Sequence, residues 1–516
     1  MTWWKRWHLY LLLFAIYPAI AFLASNAGQV DPRAMTRPLL FSLVLSLLVL
    51  LLLRAILRDW SKAAAGATMV LLVILSYGHI YAALKEAGLS GETVVRHRYL
   101  APVTLVALAA GIVLLARAHL SGSAVATLNL VAAIALAGPI LQLAGYYWPQ
   151  LVAAGHATAP AQECTLSVVG DTPDVYLIIL DAYERDDVLL EMHGYDNSWF
   201  LEALEARGFY IARGSLSNYR HTELSLAATL NSTYIQDFPE RFSTIPNHQW
   251  EIVQRINHNS LRNELECLDY STVAFESGVF WTEWTDADYF IQRGSGGLDD
   301  IRSLGRLSRS DVVFLDTTLV RVAFDAMRQE LGSNGRPRLD VNEEYRDRIQ
   351  FVFSQLGDVA SLPPPKLVFV HILSPHPPFV FGPNGELISE GDFETENGEA
   401  RTLRLYADQV NYLNQRVLEA VDGILSRSRV PPVIVIMGDH GWADRNSEDK
   451  LSILNAYHLP GVGNAALYPT ITPVNTFRVI LDAYFGGRYG LLEDASYFSY
   501  ETDVFGFQLV QNSWEP

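Results

Sequence analysis

The chain has 516 residues and a formal net charge of −18, which is distributed unevenly along it. Residues 1–150 carry 11 Lys/Arg against 4 Asp/Glu, whereas the remainder carries 27 against 52. A remainder this acidic repels phosphate backbones, so nucleic acid is excluded as an expected partner. Hydrophobic residues make up 50% of the chain, which argues against disorder.

Five long apolar stretches occupy the first 150 residues. Each has about the length that a helix needs to cross a bilayer, roughly 20 residues, and most charges lie between the stretches. Trp3, Trp4, Trp7 and the Tyr146–Trp148 run mark the outer limits of the set, as interfacial aromatics do. We therefore predict a transmembrane helical domain over residues 1–150, with spans near 8–25, 38–57, 64–84, 99–117 and 124–147.

The odd number of spans places the two ends of the chain on opposite sides of the membrane. Lys5, Arg6 and the turn from Arg58 to Lys62 favour an N-terminus inside the cell. We thus expect an integral protein of a bacterial-type inner or cell membrane whose second domain is extracytoplasmic. No span carries Asp or Glu in its middle, so transport is a weaker alternative and the bundle is interpreted as an anchor.

Residues 151–172 are predicted to be a linker, and residues 173–516 a single catalytic domain. Cys164 and Cys267 are the two cysteines of the chain. They could pair in an oxidising compartment, or they could be unrelated buried thiols.

Short Val/Ile/Leu runs alternate with helical patterns in this second part. The apolar runs end at Asp181, at His371 and at Asp439, and they are typical of buried parallel strands. Helical patterns cover residues 187–207, 341–359 and 401–428. This alternation predicts an α/β fold with a doubly wound, mostly parallel sheet.

Acids and histidines follow three of the predicted strands. Open α/β sheets bind ligands beyond the carboxyl ends of their strands, so Asp181, His371 and Asp439 should lie near one another. His376 comes close behind His371, and His440 directly follows Asp439. Oxygen and imidazole groups gathered at one sheet edge suggest a divalent metal site. Taken singly, Asp181 could be a helix cap, Asp439-His440-Gly441 a turn, and the histidines could be satisfied by backbone.

Thr222 begins a further helical pattern and is the candidate nucleophile. Amide groups and the dipole at a helix N-terminus favour both an alkoxide and an incoming phosphate. Arg220 and His221 would add positive charge beside it, and Arg220 is a candidate for substrate binding. Thr222 could also be a simple N-cap, which is compatible with the catalytic interpretation.

The order Asp181, Thr222, His371/His376 and Asp439-His440 resembles that of the alkaline phosphatase/sulfatase superfamily. The segment from Asn218 to Asn231 matches the Thr-x-x-Ser helix start of its membrane-anchored branch, which includes lipoteichoic acid synthases, phosphoethanolamine transferases and phosphoglycerol transferases. The resemblance covers the architecture and roughly residues 172–480. It implies an alkaline-phosphatase-like domain with a Thr222 nucleophile and one divalent metal ion, Zn or Mn before Mg or Ca. It also implies the ligands Asp181, Thr222, Asp439 and His440, with His371 and His376 contacting substrate.

Two departures from that pattern limit the substrate. The formylglycine signature of sulfatases, Cys or Ser followed by x-Pro-x-Arg, is absent around residue 222, so sulfate ester hydrolysis by that mechanism is not expected. The extra histidine of the ethanolamine-transferring enzymes has no equivalent other than His458. The identity of the transferred group therefore stays open.

Together these features predict a membrane-anchored, metal-dependent sulfatase-like enzyme. It would move a phospho-substituent from a lipid-linked donor through Thr222 onto an envelope glycan or lipid, or onto water. Transfer is favoured over hydrolysis. The alternative is a catalytically inactive module of the same fold that acts in envelope assembly.

Overall fold

The computed structural model describes residues 7–27, 32–86, 97–156, 166–168, 170, 172–238, 247–293, 314–323, 342–388, 398–442, 447–461 and 463–515. The chain divides into two compact units. One comprises Met1–Ala157 and Ile301–Val341, the other Thr158–Asp300 and Asn342–Pro516. The predicted boundaries at residues 150 and 172 stay predictions, and much of the predicted linker lies outside the described residues. The division adds that residues 301–341 group with the N-terminal unit.

The N-terminal unit contains the five predicted helices. They are α1 (Leu9–Ser25), α2 (Thr36–Leu57), α3 (Trp60–Glu86), α4 (His97–Arg117) and α5 (Gly122–His156). Within the described residues, α2 to α5 are long and apolar enough to cross a membrane. Helix α1 has 17 residues, about 25 Å of helix at 1.5 Å per residue.

Helix α5 caps both ends of α1. At the start of α1, the Asn129 amide accepts from Tyr10 N at 2.8 Å and donates to Trp7 O at 2.8 Å. At its end, Gln142 donates to Ala24 O at 2.9 Å. The earlier residue of α5, Asn129, contacts the start of α1, and the later one, Gln142, contacts its end. Helices α1 and α5 therefore run in parallel. Parallel neighbours begin on the same side, which supports an odd number of crossings between residues 9 and 156.

A segment from the second half of the chain packs on α3. Gly78 N donates to Thr317 O at 2.9 Å, and Leu319 N donates to Ile74 O at 2.7 Å. A Cβ atom at Gly78 would lie 2.5 Å from Thr317 C, so only glycine fits there. Residues 314–323 are therefore an integral part of the helical unit.

The second unit is built on a seven-stranded sheet with the order β2-β7-β6-β1-β5-β3-β4. Strands β6, β1, β5, β3 and β4 are parallel, whereas β7 is antiparallel to both of its neighbours. A separate hairpin pairs β8 with β9. The strands are β1 (Val175–Leu180), β2 (Tyr210–Ile211), β3 (Ser271–Phe275), β4 (Tyr289–Ile291), β5 (Lys366–Ile372), β6 (Val433–Gly438), β7 (Asn455–His458), β8 (Ser496–Tyr500) and β9 (Asp503–Val510).

Helices cover both faces of the sheet. Alternate residues of β1 enter two different cores: Val175, Leu177 and Ile179 face one, and Tyr176, Ile178 and Leu180 face the other. The first core includes α8 (Thr222–Asn231), α9 (Asn247–Asn257), α10 (Ser260–Glu266) and α13 (Pro473–Tyr484). The second includes α6 (Asp186–His193), α7 (Ser198–Glu205), α11 (Glu343–Leu356) and α12 (Gly398–Arg427). Burial on both faces explains the continuous apolar runs, and it confirms the doubly wound, mostly parallel sheet.

Candidate active site

The parallel register of the central strands sets where the acidic residues meet. Leu180 of β1 lies beside Gly438 of β6, so the next residues, Asp181 and Asp439, leave the sheet side by side. On the other flank of β1, His371 of β5 lies beside Ile179. The predicted convergence at one carboxyl edge is therefore present in the fold.

Asp181, Asp439 and His440 form a buried cluster of potential metal ligands. One ligand atom from each lies within 4.8 Å of the others. The Nε2 atom of His440 is 3.8 Å from Asp181 Oδ1 and 3.6 Å from Asp439 Oδ2. Two carboxylates and one imidazole are donors that divalent zinc or manganese accepts.

The hydrogen bonds of this cluster test whether it fits a cation. Asp439 Oδ1 accepts from Ala182 N at 2.9 Å and from His440 N at 3.0 Å. Among the described residues, Asp181 Oδ1 and Asp439 Oδ2 are buried without a hydrogen-bond partner. Buried carboxylate oxygens without partners are costly, and a divalent cation between them would remove that cost.

His440 is oriented for the same purpose. Its Nδ1 atom lies 2.8 Å from Gly441 O, and a carbonyl oxygen only accepts, so Nδ1 carries the hydrogen. Nε2 then presents its lone pair to the two carboxylates. A ring nitrogen fixed by a backbone carbonyl on its other side is the usual arrangement of a metal-binding histidine.

Asp181 is held in its charged form by the surrounding histidines. Burial alone would raise the pKa of this carboxyl, but His371, His376 and His440 outweigh burial and lower its pKa to about 2. The nearest is His371, whose Nε2 lies 3.5 Å from Asp181 Oδ2 and whose Nδ1 lies 3.0 Å from Thr282 Oγ1. His371 is 2% exposed. Asp181 is therefore ionised at neutral pH.

Thr222 lies at the open side of the cluster. It is the first residue of α8, and His221 occupies the N-cap position in an extended conformation. The Thr222 hydroxyl oxygen is 3.1 Å from His440 Nε2, and its side chain is partly exposed. This places a partly exposed hydroxyl at a helix N-terminus and next to His440, the histidine of the cluster.

The three predicted substrate contacts occupy different surroundings. His371 is buried against Asp181, whereas His376 is exposed, with its Nδ1 atom 2.8 Å from Pro377 O. Arg220 donates to Ser499 O at 3.1 Å and lies 3.2 Å from Glu501 Oε1. Its side chain is 12% exposed, and Glu501 at the hairpin tip is 72% exposed. Substrate contact by these three residues stays a prediction.

The expected positive charge beside Thr222 comes from Arg220 and not from His221. Burial lowers the pKa of His221 to about 4, and the charges of Arg220, His440 and Lys450 act in the same direction, while Glu501 opposes them. His221 is therefore neutral at pH 7. Counting it as a cation from sequence was wrong because its ring is buried.

Ser217 is a site residue that sequence reasoning missed. Its hydroxyl oxygen lies 2.8 Å from Tyr219 O and 3.1 Å from Ser225 Oγ, and it also contacts the backbone oxygen of Asp439. Ser217 thus joins the segment before Thr222 to the Asp439 loop. A serine in a polar loop carries no local signal of that role, because its partners come from another part of the chain.

Cys267 is disulfide-bonded. The sequence contains one other cysteine, Cys164, which lies outside the described residues.

The fold has matches among solved structures. The C-terminal periplasmic domain of EcEptC from Escherichia coli, in complex with Zn, is 12% identical over 68% of this chain and 96% of that one, with a TM-score of 0.42. The lipoteichoic acid synthase LtaP from Listeria monocytogenes is 13% identical over 61% and 75%, with a TM-score of 0.38. The integral membrane lipooligosaccharide phosphoethanolamine transferase A from Neisseria meningitidis is 11% identical over 87% and 88%, with a TM-score of 0.33.

No family model and no curated protein matches this chain. The matched structures are of the kinds of protein that the sequence resembles. All three TM-scores lie below 0.5, and the assignment of function depends on the site itself.

Proposed function

We propose that this protein is a membrane-anchored, metal-dependent enzyme that transfers a phospho-substituent through Thr222. One observation carries the proposal. The Thr222 hydroxyl lies 3.1 Å from His440 Nε2, and that nitrogen faces two buried carboxylates. Each of these carboxylates has an oxygen with no hydrogen-bond partner among the residues that the structure describes. A purely structural cluster would be expected to satisfy those oxygens within the fold.

Asp181, Asp439, His440 and Thr222 would hold one divalent cation, with zinc or manganese best suited to this donor set. When bound, the cation supplies Lewis-acid polarisation and lowers the pKa of an adjacent hydroxyl. His371 contributes by keeping Asp181 ionised, since it is buried against that carboxylate. Substrate contact is thus better suited to the exposed His376 than to His371.

The residues around Thr222 favour attack on a phosphoester. The N-terminus of α8 stabilises negative charge on the hydroxyl oxygen and on phosphate oxygens. Arg220 lies two residues before Thr222, and its pair with the exposed Glu501 can exchange for a pair with a phosphate oxygen. His376 is exposed to solvent next to the cluster and can donate a proton to a leaving oxygen.

The reaction would proceed in two displacements at phosphorus. In the first, Thr222 Oγ loses its proton and forms a bond to phosphorus, the bond from phosphorus to the donor oxygen breaks, and that oxygen takes up a proton. In the second, a hydroxyl of the acceptor gives up its proton and attacks phosphorus, the bond from phosphorus to Thr222 Oγ breaks, and Thr222 Oγ takes up a proton again. The apolar helices favour a lipid-linked donor, and an envelope glycan or lipid would be the acceptor, with water as the hydrolytic alternative.

The disulfide at Cys267 supports an extracytoplasmic location for the α/β unit, because disulfides persist in oxidising compartments.

Replacement of Thr222 by alanine tests the proposal. Thr222→Ala should reduce turnover by about 10⁴-fold, since it removes the nucleophile. Asp181, Asp439 and His440 remain, so zinc binding should weaken far less than turnover, and thermal stability should stay close to that of the parent. Thr222→Ser is the matched control, because it keeps the hydroxyl and should retain part of the activity. Intact-protein mass spectrometry of the chain isolated from its membrane should detect an adduct on Thr222 that the alanine variant lacks. Parental turnover in Thr222→Ala would contradict the proposal.

A further inference from the structure

A buried carboxylate–imidazole pair, Glu184 and His193, lies close in sequence to the metal cluster, since Glu184 follows Asp181 by three residues. Glu184 Oε2 is 2.7 Å from His193 Nε2, and both side chains are fully buried. The other ring nitrogen of His193 lies 3.1 Å from Leu403 O on α12. A carbonyl oxygen only accepts, so Nδ1 donates to Leu403 and the opposite edge of the ring faces Glu184. The pair thereby links the end of α6 to α12.

The second oxygen of Glu184 reaches the loop that carries the metal ligands of β6. Glu184 Oε1 accepts from Trp442 N at 3.0 Å, and Trp442 follows His440 by two residues. The Glu184 carboxylate therefore joins His193 to the Asp439–Trp442 loop. Glu184 is itself three residues after Asp181, so it connects both ligand-bearing segments.

Tyr406 of α12 holds the first of these segments from the same side. Its hydroxyl donates to Ala182 O at 2.7 Å and accepts from Glu184 N at 3.1 Å. Ala182 has a φ of 62°, an unfavourable backbone conformation for alanine that the surrounding bonds must maintain. Ala182 N in turn donates to Asp439 Oδ1 at 2.9 Å. The turn after Asp181 is thus fixed by one bond to the cluster and by two bonds to Tyr406.

Ring stacking completes this frame. The ring of Tyr406 lies 4.5 Å from that of His193 and 5.2 Å from that of Trp442, in both cases close to parallel. His193, Tyr406 and Trp442 therefore form one cluster of rings in mutual contact. His193 Nε2 and Trp442 N bond to the carboxylate of Glu184, and the Tyr406 hydroxyl bonds to Ala182 and to the backbone of Glu184.

We propose that Glu184 is a positioning residue of the metal site, which sets the distance of the Asp439–His440 loop from Asp181 with the support of His193 and Tyr406. The inference rests on the proposed function, because it assumes that the cluster binds a cation. Removal of a side chain that holds a metal ligand in place, without touching the metal itself, typically lowers metal affinity 10- to 100-fold.

Glu184→Leu and Glu184→Gln separate positioning from simple packing. Leucine removes the bonds to both Trp442 and His193. Glutamine keeps them, because its oxygen accepts from Trp442 N and its amide donates to His193 Nε2. With the full chain in detergent, freed of metal, we expect zinc affinity measured by chelator competition to fall 10- to 100-fold in Glu184→Leu and to stay near the parental value in Glu184→Gln.

Lys366→Met is the matched control. Lys366 forms a buried ion pair with Asp174. The pair lies at the amino ends of β5 and β1, whereas the metal cluster lies at the carboxyl ends of the parallel strands. Its loss should lower the thermal stability without changing the zinc affinity of the folded protein. Equal weakening of zinc binding in Lys366→Met would overturn the proposal, since any loss of stability would then suffice.

Tyr406→Phe keeps the proposal testable if Glu184→Leu does not fold. It deletes a single oxygen from the frame and should weaken zinc binding about 10-fold. Parental zinc affinity in a folded Glu184→Leu or in Tyr406→Phe overturns the positioning role while leaving the proposed function intact. A parent chain that binds no zinc overturns both proposals, and turnover in Thr222→Ala contradicts only the proposed function.

Discussion

Buried carboxylates at the two ends of β1 differ in whether the fold supplies a partner for them. At the amino end, Asp174 accepts from Lys366 N at 3.2 Å and contacts the ammonium group of the same lysine, which is fully buried. At the carboxyl end, Asp181 and Asp439 each keep an oxygen without a partner among the described residues.

The difference teaches how a structural charge can be distinguished from a functional one. A fold that buries a carboxylate for stability supplies the counter-charge from its own sequence, as Lys366 does for Asp174. At the carboxyl end, a bound cation would supply that compensation under the proposed function. Neutralising an acid should therefore affect metal binding at the carboxyl ends of β1 and β6, and should leave it unchanged at the amino end of β1.

Asp439→Asn should give the largest effect on metal binding. The asparagine oxygen can still accept from Ala182 N and His440 N, but one ligand charge is lost, so we expect zinc affinity to fall by at least about 100-fold. In metal-free protein the free energy of unfolding should rise by about 1 kcal/mol, because a buried charge has been removed. Chelator competition and thermal unfolding measure the two effects. Asp174→Asn is the control at the other end and should leave zinc affinity unchanged.

Lys366→Met should give the largest loss of stability. It leaves Asp174 buried without a counter-charge, and removing one partner of a buried pair costs about 3–5 kcal/mol. Unfolding of the metal-free chain would measure that loss. The double variant Lys366→Met/Asp174→Leu should recover most of it, since no charge then remains buried. A single variant as stable as the parent would mean that the amino end is not held by this pair.

The pH dependence of the free energy of unfolding should reveal a smaller effect, which comes from His221 beside Thr222. The pKa of His221 is lowered to about 4 in the folded protein, compared with about 6.5 when unfolded, because its ring is buried. As the pH falls from about 6.5 to about 4, the unfolded chain takes up the proton first, so stability decreases by an amount of the order of 1–3 kcal/mol. Thermal unfolding of metal-free protein across this range measures it. His221→Gln should flatten that part of the profile, and an unchanged profile would show that His221 does not contribute.

Much of the fold and part of the site could be predicted because local patterns determine them. The buried strands appear in sequence as apolar runs, and parallel pairing brings their ends together, which places Asp181 beside Asp439. The helical pattern that begins at Thr222 likewise predicted that this residue starts a helix. Each of these features depends on periodicity within about ten residues.

The remaining features depend on partners far away in sequence. Arg220 bonds to Ser499, 279 residues later, so its guanidinium could not be assigned from its own surroundings. The same hairpin takes part in the burial of His221. Glu184 shows no motif, since its role arises from Trp442 and from His193. Residues 314–323 pack on α3, which lies far away in sequence, so no local pattern could reveal that contact.

The strand β8 has a consequence for biosynthesis. Tyr497 N donates to Asn218 O at 2.9 Å, and Asn218 donates back to Ala495 O at 2.8 Å, so β8 braces the loop that leads into Thr222. Those bracing residues leave the ribosome roughly 280 residues after the loop does. During translation the nascent protein therefore carries its membrane helices and most of its sheet before this loop is braced. A chain cut short ahead of β8 would keep every proposed ligand yet lack the support of the proposed nucleophile.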